Sequence, residues 1–285
     1  MIKQYLKLCK PKVVLLMLLT AIVGMIITPK QYHKLDIASL GLIGITLLAA
    51  SGAALNHIID QSWDVKMQRT RHRPLVIGSI TQKKALFFAG SLTIIGLIVM
   101  WLFTNKTAAI LTLATTFGYA IIYTCWLKHA SPQNIVIGGL SGALPPILGW
   151  SCLTGTLDAE PWLLVLIIFA WTPAHFWALA IDRIEDYKKA EIPMLPVTHG
   201  VGYTKLQVLL YSILTIITTY LPFTINMFGM IYLLGVSILN IYFLIRAVQC
   251  YSNTYPAKRL FWLSIYYLML MFAFMLIDHW YFSYV

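Results

Sequence analysis

The chain has 285 residues, of which 59 % are hydrophobic and 11 % charged, and its formal net charge is +11. A soluble domain carries about a quarter charged residues, so a water-soluble globular fold is excluded and lipid is the expected solvent. The positive charge is not a nucleic-acid signal, because the bases are spread over short segments between apolar runs.

In chain order, apolar stretches of membrane-spanning length are predicted at 12–28, 37–59, 85–104, 107–127, 134–157, 161–181, 205–225, 227–246 and 259–278. Each can satisfy its backbone in lipid as a helix, so the expected fold is all-α, a polytopic membrane protein of nine transmembrane helices. The first run is expected to be retained, since its apolar part is long and Lys12 abuts it, and no Arg- and Ser-rich transit segment precedes it. The fifth run contains "GGLSGALPPILGW" (138–150). Gly138 and Gly142 have the spacing of a close helix approach, and Pro145-Pro146 predict a break. The sixth contains "WTPAHFWALAI" (171–181), with a kink expected at Pro173 and His175 roughly two turns above a cluster of acids. The four cysteines form no CxxC pair, so neither a disulfide nor a thiolate metal site is suggested.

Loop charge orients the chain. With the N-terminus inside, 18 of the 21 Lys and Arg fall on inside segments, and Lys30, Lys34 and Lys106 are the exceptions. That bias predicts a cytoplasmic N-terminus and also explains most of the bases without any further role.

The acids are less easily explained. Asp36, Asp158, Glu160 and Asp278 sit at outside ends, where solvation suffices, whereas Asp60, Asp64, Asp182, Glu185, Asp186 and Glu191 form two clusters at the inside ends of the second and sixth runs. Asn56, Asp60 and Asp64 follow one another at four-residue spacing along one helical stripe, and His175, Leu179, Asp182 and Asp186 make a similar one. Like charges at that spacing repel, more so at a membrane boundary, and a divalent cation would offset the repulsion. Oxygen-only ligands suit Mg²⁺, which keeps waters and bridges carboxylates to phosphates. Lys66, Arg69, Arg73, Arg183 and Lys188 beside them suit phosphate oxygens. The two clusters also resemble each other, which suggests one domain over 1–285 built from four-helix pseudo-repeats at about 12–127 and 134–246, plus the ninth helix.

At these residues the chain resembles the UbiA-type intramembrane prenyltransferases, whose hallmark is two Asp-rich motifs on the second and sixth of nine helices. The matching segments are "NHIIDQSWD" and "DRIEDYKKA". "DVKMQRTRHRPL", "YTCWLKHASPQNIVIGGLSGALPPILGW", "WTPAHFWALAI", "EDYKKAEIPMLPV" and the opening "YLKLCKPKVVLLMLLTAIVGM" are similar to the members that farnesylate haem. Three positions depart from the pattern: His57 stands where a second Asn is frequent, Glu191 where Gly or Asn is usual, and Asp182 is not the acid expected beside Asp186.

The resemblance implies transfer of a farnesyl group from farnesyl diphosphate to the 2-vinyl group of haem B, with Mg²⁺ on the diphosphate. It implies Asn56, Asp60, Asp64 and Asp186 as catalytic residues and Asp60, Asp64, Asp182, Glu185 and Asp186 as metal ligands. Lys66, Arg69, Arg73 and Lys188 would bind the diphosphate, Arg183 and Tyr187 would also bind substrate, and His175 and Trp177 would lie near the haem. The expected location is a bacterial plasma membrane, with haem-copper oxidase assembly factors as compatible partners and no nucleic acid. Two other readings stay open at this point: a UbiA-type enzyme with an aromatic quinone precursor as acceptor, and a polytopic transporter using the acids for cations.

Overall fold

A computed structural model describes residues 1–282. The described residues form α1 (Ile2–Leu8), α2 (Pro11–Ile26), α3 (Leu35–Ile59), α4 (Gln61–Asp64), α5 (Gln82–Phe103), α6 (Lys106–Ala130), α7 (Asn134–Thr154), α8 (Ala159–Asp182), α9 (Ile184–Lys189), α10 (Leu195–Thr198), α11 (Gly200–Thr224), α12 (Met230–Tyr251) and α13 (Ala257–Phe282). Among them eight helices are long and apolar enough to cross a membrane, and α1 with α2, bent by 54°, makes a ninth if counted as one span. The chain is a multi-pass membrane protein.

The first run, expected at 12–28, is the 16-residue helix α2, and what the sequence reading does not anticipate is the short helix α1 ahead of it and the bend between them. Pro11 fixes the first turn of α2 and disfavours the α conformation in the residue before it, so the chain turns at Lys10 (φ 47°, ψ 59°) and α1 sets off at an angle. Leu8 holds α1 down, fully buried with Ala54, Leu75, Ile80, Ala85 and Ala89, while Tyr5 packs on Phe88.

The spans pack largely in sequence. α3 lies along α5. α8 is the most enclosed helix, set against α7, α11 and α13, and α13 returns to touch α2. α7 is broken at Leu144, as the double proline predicts. The close approach falls elsewhere than on Gly138 and Gly142, however. Gly138 makes room for the Tyr123 ring and a side chain at Gly142 would meet open space. The backbones of α2 and α7 cross at Gly24 and Gly149, where a Cβ would come within 2.0 Å of the Pro146 and Ala21 carbonyl oxygens. Backbone cannot yield as a side-chain tip can, so Gly149→Val is expected to lower the detergent unfolding temperature by several degrees or to abolish the folded yield. A thermal scan of Gly142→Val, expected unchanged, is the control.

Two acids assigned to solvation are structural. Asp278 is 0 % exposed and accepts from the Gly229 and Tyr232 amides at 2.6 and 2.9 Å, capping the start of α12. Asp158 accepts from Trp150 Nε1 at 2.8 Å and Thr156 Oγ1 at 2.5 Å. Asp278 thus satisfies backbone donors inside the bundle, while Asp158 ties Trp150 to the exposed turn after α7.

Candidate active site

The first motif is held by continuation of a helix past its nominal end. α3 ends at Ile59, but Asp60 keeps helical torsions (φ −77°, ψ −4°), and the Asp60 and Asp64 amides each donate four residues back at 2.9 Å. The predicted stripe of Asn56, Asp60 and Asp64 therefore holds. The following loop folds back over it. Thr70 Oγ1 donates to the Asp64 carbonyl at 3.0 Å, Gln61 to the Leu75 carbonyl at 3.1 Å, and Arg73 donates to Asp64 Oδ2 at 2.5 Å. Asp60 and Asp64 are 2 % and 3 % exposed, unusual burial for two carboxylates.

Buried carboxylates need partners, and these come from elements distant in sequence. Lys128, at the end of α6, lies 2.6 Å from Asp60. Asn56 donates to Asp60 at 2.9 Å and to Thr124 Oγ1 at 3.2 Å, and accepts from Lys10. Burial pushes the Asp64 carboxyl up, and the adjacent Arg73 guanidinium pulls it back down. One acceptor stays open: Asp60 Oδ1 is buried without a hydrogen-bond partner. An oxygen-only donor set with an unfilled buried carboxylate oxygen fits a hard cation such as Mg²⁺.

Residues 118–127 of α6 are π-helical, and this sets the third wall. Thr124 Oγ1 donates to the Tyr119 carbonyl at 2.8 Å, five residues back. On an α-helix Tyr119 and Lys128, nine positions apart, would point to opposite sides at roughly 100° per residue. The wider π turn, roughly 4.4 residues, brings them to one side, and Tyr119, Thr124 and Lys128 all face Asn56, Asp60 and Lys10.

The second motif approaches the first through its loops. Lys66 pairs with Glu191 at 3.5 Å, and Met67 shares a core with Tyr187 and Ile192. Its acids, however, do not join Asp60 and Asp64: among the described residues no three His, Cys, Asp or Glu are grouped to hold one metal ion. α8 ends at Asp182, and Arg183 (φ −115°) breaks the predicted stripe before α9, so Asp186 belongs to a separate short helix. Asp182 pairs with Arg183 at 3.4 Å and Glu185 with Lys188 at 3.1 Å, both at the surface. Asp186 is half-buried, Tyr187 is buried and Arg69 is exposed. Of the bases predicted to bind phosphate, Arg73 is therefore in the pocket, while Lys66, Lys188 and Arg183 hold surface acids.

His175 and Trp177 do not share a face. The His175 ring is stacked between Trp171 and Phe261, centroids 4.2 and 4.5 Å away, and its Nδ1 shares a 2.8 Å hydrogen bond with Ser264 Oγ on α13. Trp177, two positions on, turns to Tyr211 on α11. Two residues on a helix differ by about 200°, so both cannot line one pocket from α8.

Sequence reasoning missed Lys10, Tyr119, Thr124 and Lys128. The two lysines were absorbed into the positive-inside count. The tyrosine and threonine stand five apart, a spacing that an α-helical periodicity does not register. The signal that could have found Lys128 is its isolation, as the single Lys or Arg between 107 and 182.

The model of the UbiA prenyltransferase family matches residues 17–276. A protoheme IX farnesyltransferase of Legionella pneumophila (strain Paris) is 51 % identical over 281 residues, covering 98 % of this chain and 96 % of the relative. Among solved structures, that of a digeranylgeranylglyceryl phosphate synthase superposes with a TM-score of 0.81 at 21 % identity, covering 98 % of both chains. A UbiA homolog from Archaeoglobus fulgidus bound to DMAPP and Mg²⁺ superposes with a TM-score of 0.67 at 20 % identity, covering 95 % of this chain and 99 % of that one. The structural likenesses share the fold, and the sequence match extends through both Asp-bearing motifs. The chain belongs to the UbiA prenyltransferase family.

Proposed function

We propose that the protein transfers the farnesyl group of farnesyl diphosphate to the 2-vinyl group of haem B, making haem O and releasing diphosphate. The farnesyl C1–O bond breaks with its electron pair leaving on the diphosphate. The vinyl π pair then forms the new C–C bond, and water adds to the resulting cation and loses a proton. The observation that carries the reading is the pair of buried carboxylates, Asp60 and Asp64, set among Lys10, Arg73 and Lys128 where an apolar bundle meets its loops. A diphosphate is held at such a rim while its prenyl tail stays among apolar spans. The name of the Legionella relative supports farnesyl as the donor group and protoheme as the acceptor.

Asn56, Asp60 and Asp64 would hold Mg²⁺ at the first motif, and Asp186, with Asp182 and Glu185, would do so from the second motif, apart from that group. What Mg²⁺ supplies when bound is neutralisation of charge on the departing diphosphate. Arg73 binds phosphate oxygens, Arg69 draws the anion to the rim, and Lys66, Arg183 and Lys188 do so once their surface acids release them. The tight bundle excludes water from the allylic cation until bond formation. The N-terminus is cytoplasmic and the membrane is a bacterial plasma membrane, in keeping with the basic loops and the bacterial relative.

The test offers purified protein farnesyl diphosphate and Mg²⁺ with haem B or with 4-hydroxybenzoate. A product with the mass of haem B plus one farnesyl group and one hydroxyl group is expected from the first alone. Prenylated benzoate instead would assign the protein to quinone synthesis, and no product from either would overturn the transferase reading.

A further inference from the structure

Charge balance in the pocket leaves one cation without an acid. Asp60 is paired with Lys128 and Asp64 with Arg73. The third cation, Lys10, donates to the neutral Asn56 Oδ1, and its Nζ lies 3.5 Å from the Tyr119 hydroxyl. Neither oxygen carries charge, and a half-buried ammonium at a membrane rim is costly without a counter-charge. Beside it His57 is 4 % exposed with neither ring nitrogen hydrogen-bonded, and it lies close enough to Arg73 and Lys10 to feel both charges. A half-buried ammonium with no carboxylate in ion-pair contact and a buried imidazole without a hydrogen-bond partner describe a place built for an anion.

The backbone is arranged to deliver that ammonium. Lys10 takes a left-handed conformation that a lysine rarely adopts (φ 47°), between α1 and Pro11. The strain is held by Leu8 and Tyr5, which anchor α1 on α3 and α5. Lys3, Lys7 and Lys12, by contrast, are exposed, as loop charge alone requires.

We propose that Lys10 is a substrate-binding residue whose ammonium grips the diphosphate of the prenyl donor. The N-terminal segment is then part of the active site. The inference rests on the prenyl diphosphate reading but is independent of the acceptor. On binding, the Lys10 Nζ exchanges the Asn56 amide oxygen for a phosphate oxygen, and Asn56 is freed.

The test compares wild type, Lys10→Met, Lys10→Arg and Lys12→Met. It uses two readouts: calorimetric binding of inorganic diphosphate with Mg²⁺, and steady-state farnesyl transfer. Loss of one charge-assisted contact predicts about tenfold weaker diphosphate binding and about tenfold higher KM for farnesyl diphosphate in Lys10→Met. The KM for haem B should not move, Lys10→Arg should recover most of the loss, and Lys12→Met should match wild type. Unchanged diphosphate binding in Lys10→Met overturns the proposal, as does a uniform rise in both KM values with a lowered unfolding temperature, the mark of a merely structural lysine. If wild type binds diphosphate but makes no haem product, the acceptor assignment fails while the Lys10 comparison still decides.

Discussion

An Asp60→Asn protein is expected to make haem O at no more than about a hundredth of the wild-type rate, and to lose stability at the same time. Asp60 is buried, one of its oxygens takes Lys128 at 2.6 Å and Asn56 at 2.9 Å, and the other is unfilled. The substitution keeps the volume but strands the Lys128 ammonium, and breaking a buried pair by removing one partner costs about 3–5 kcal/mol. The two effects separate in the double variant Asp60→Asn with Lys128→Met. Removing both charges should restore most of the unfolding temperature, because no unpaired charge is left, while farnesyl transfer stays lost. Recovery of activity along with stability would mean that Asp60 serves only to neutralise Lys128.

Removing the metal should have the opposite signature. Chelation by EDTA is expected to reduce farnesyl transfer by more than about a hundredfold, with Mg²⁺ restoring it and Ca²⁺ restoring little, since Ca²⁺ prefers more ligands at longer distances. The unfolding temperature should be unaffected. Asp60 and Asp64 already have Lys128 and Arg73 as counter-charges, so the fold does not depend on a cation for neutrality. A large drop in unfolding temperature on chelation would contradict that assignment of the ion pairs.

The fold was largely legible because lipid leaves the backbone few options. Hydropathy located each long span to within a few residues, and the inside–outside asymmetry of Lys and Arg separated loops that the structure gathers at one end, where Lys10, Lys66 and Lys128 all reach motif residues. What escaped was geometry that hydropathy does not encode. The turn at Lys10 depends on one proline. Asp278, at a span end, reads as solvated until its helix-capping bonds are seen. The crossing of α2 and α7 at Gly24 and Gly149 looks no different in sequence from Gly138 and Gly142.

At the site, the stripe of Asn56, Asp60 and Asp64 followed from helical spacing, and Arg73 followed from the loop beside it. The π-helical turn that brings Tyr119, Thr124 and Lys128 to that stripe runs against the 3.6-residue period on which the reading relied. His175 and Trp177 were linked by proximity in sequence, whereas helical geometry sends them to α13 and α11.

In the proposed reaction, cleavage of the farnesyl C1–O bond is coupled to attack by the haem vinyl group and trapping by one water. The most direct measurement is the reaction run in ¹⁸O-labelled water, counting diphosphate released against haem consumed and locating the heavy oxygen. One diphosphate per haem and one heavy oxygen in the product side chain are expected. Diphosphate released without loss of haem, with the heavy oxygen in free farnesol, would contradict that coupling.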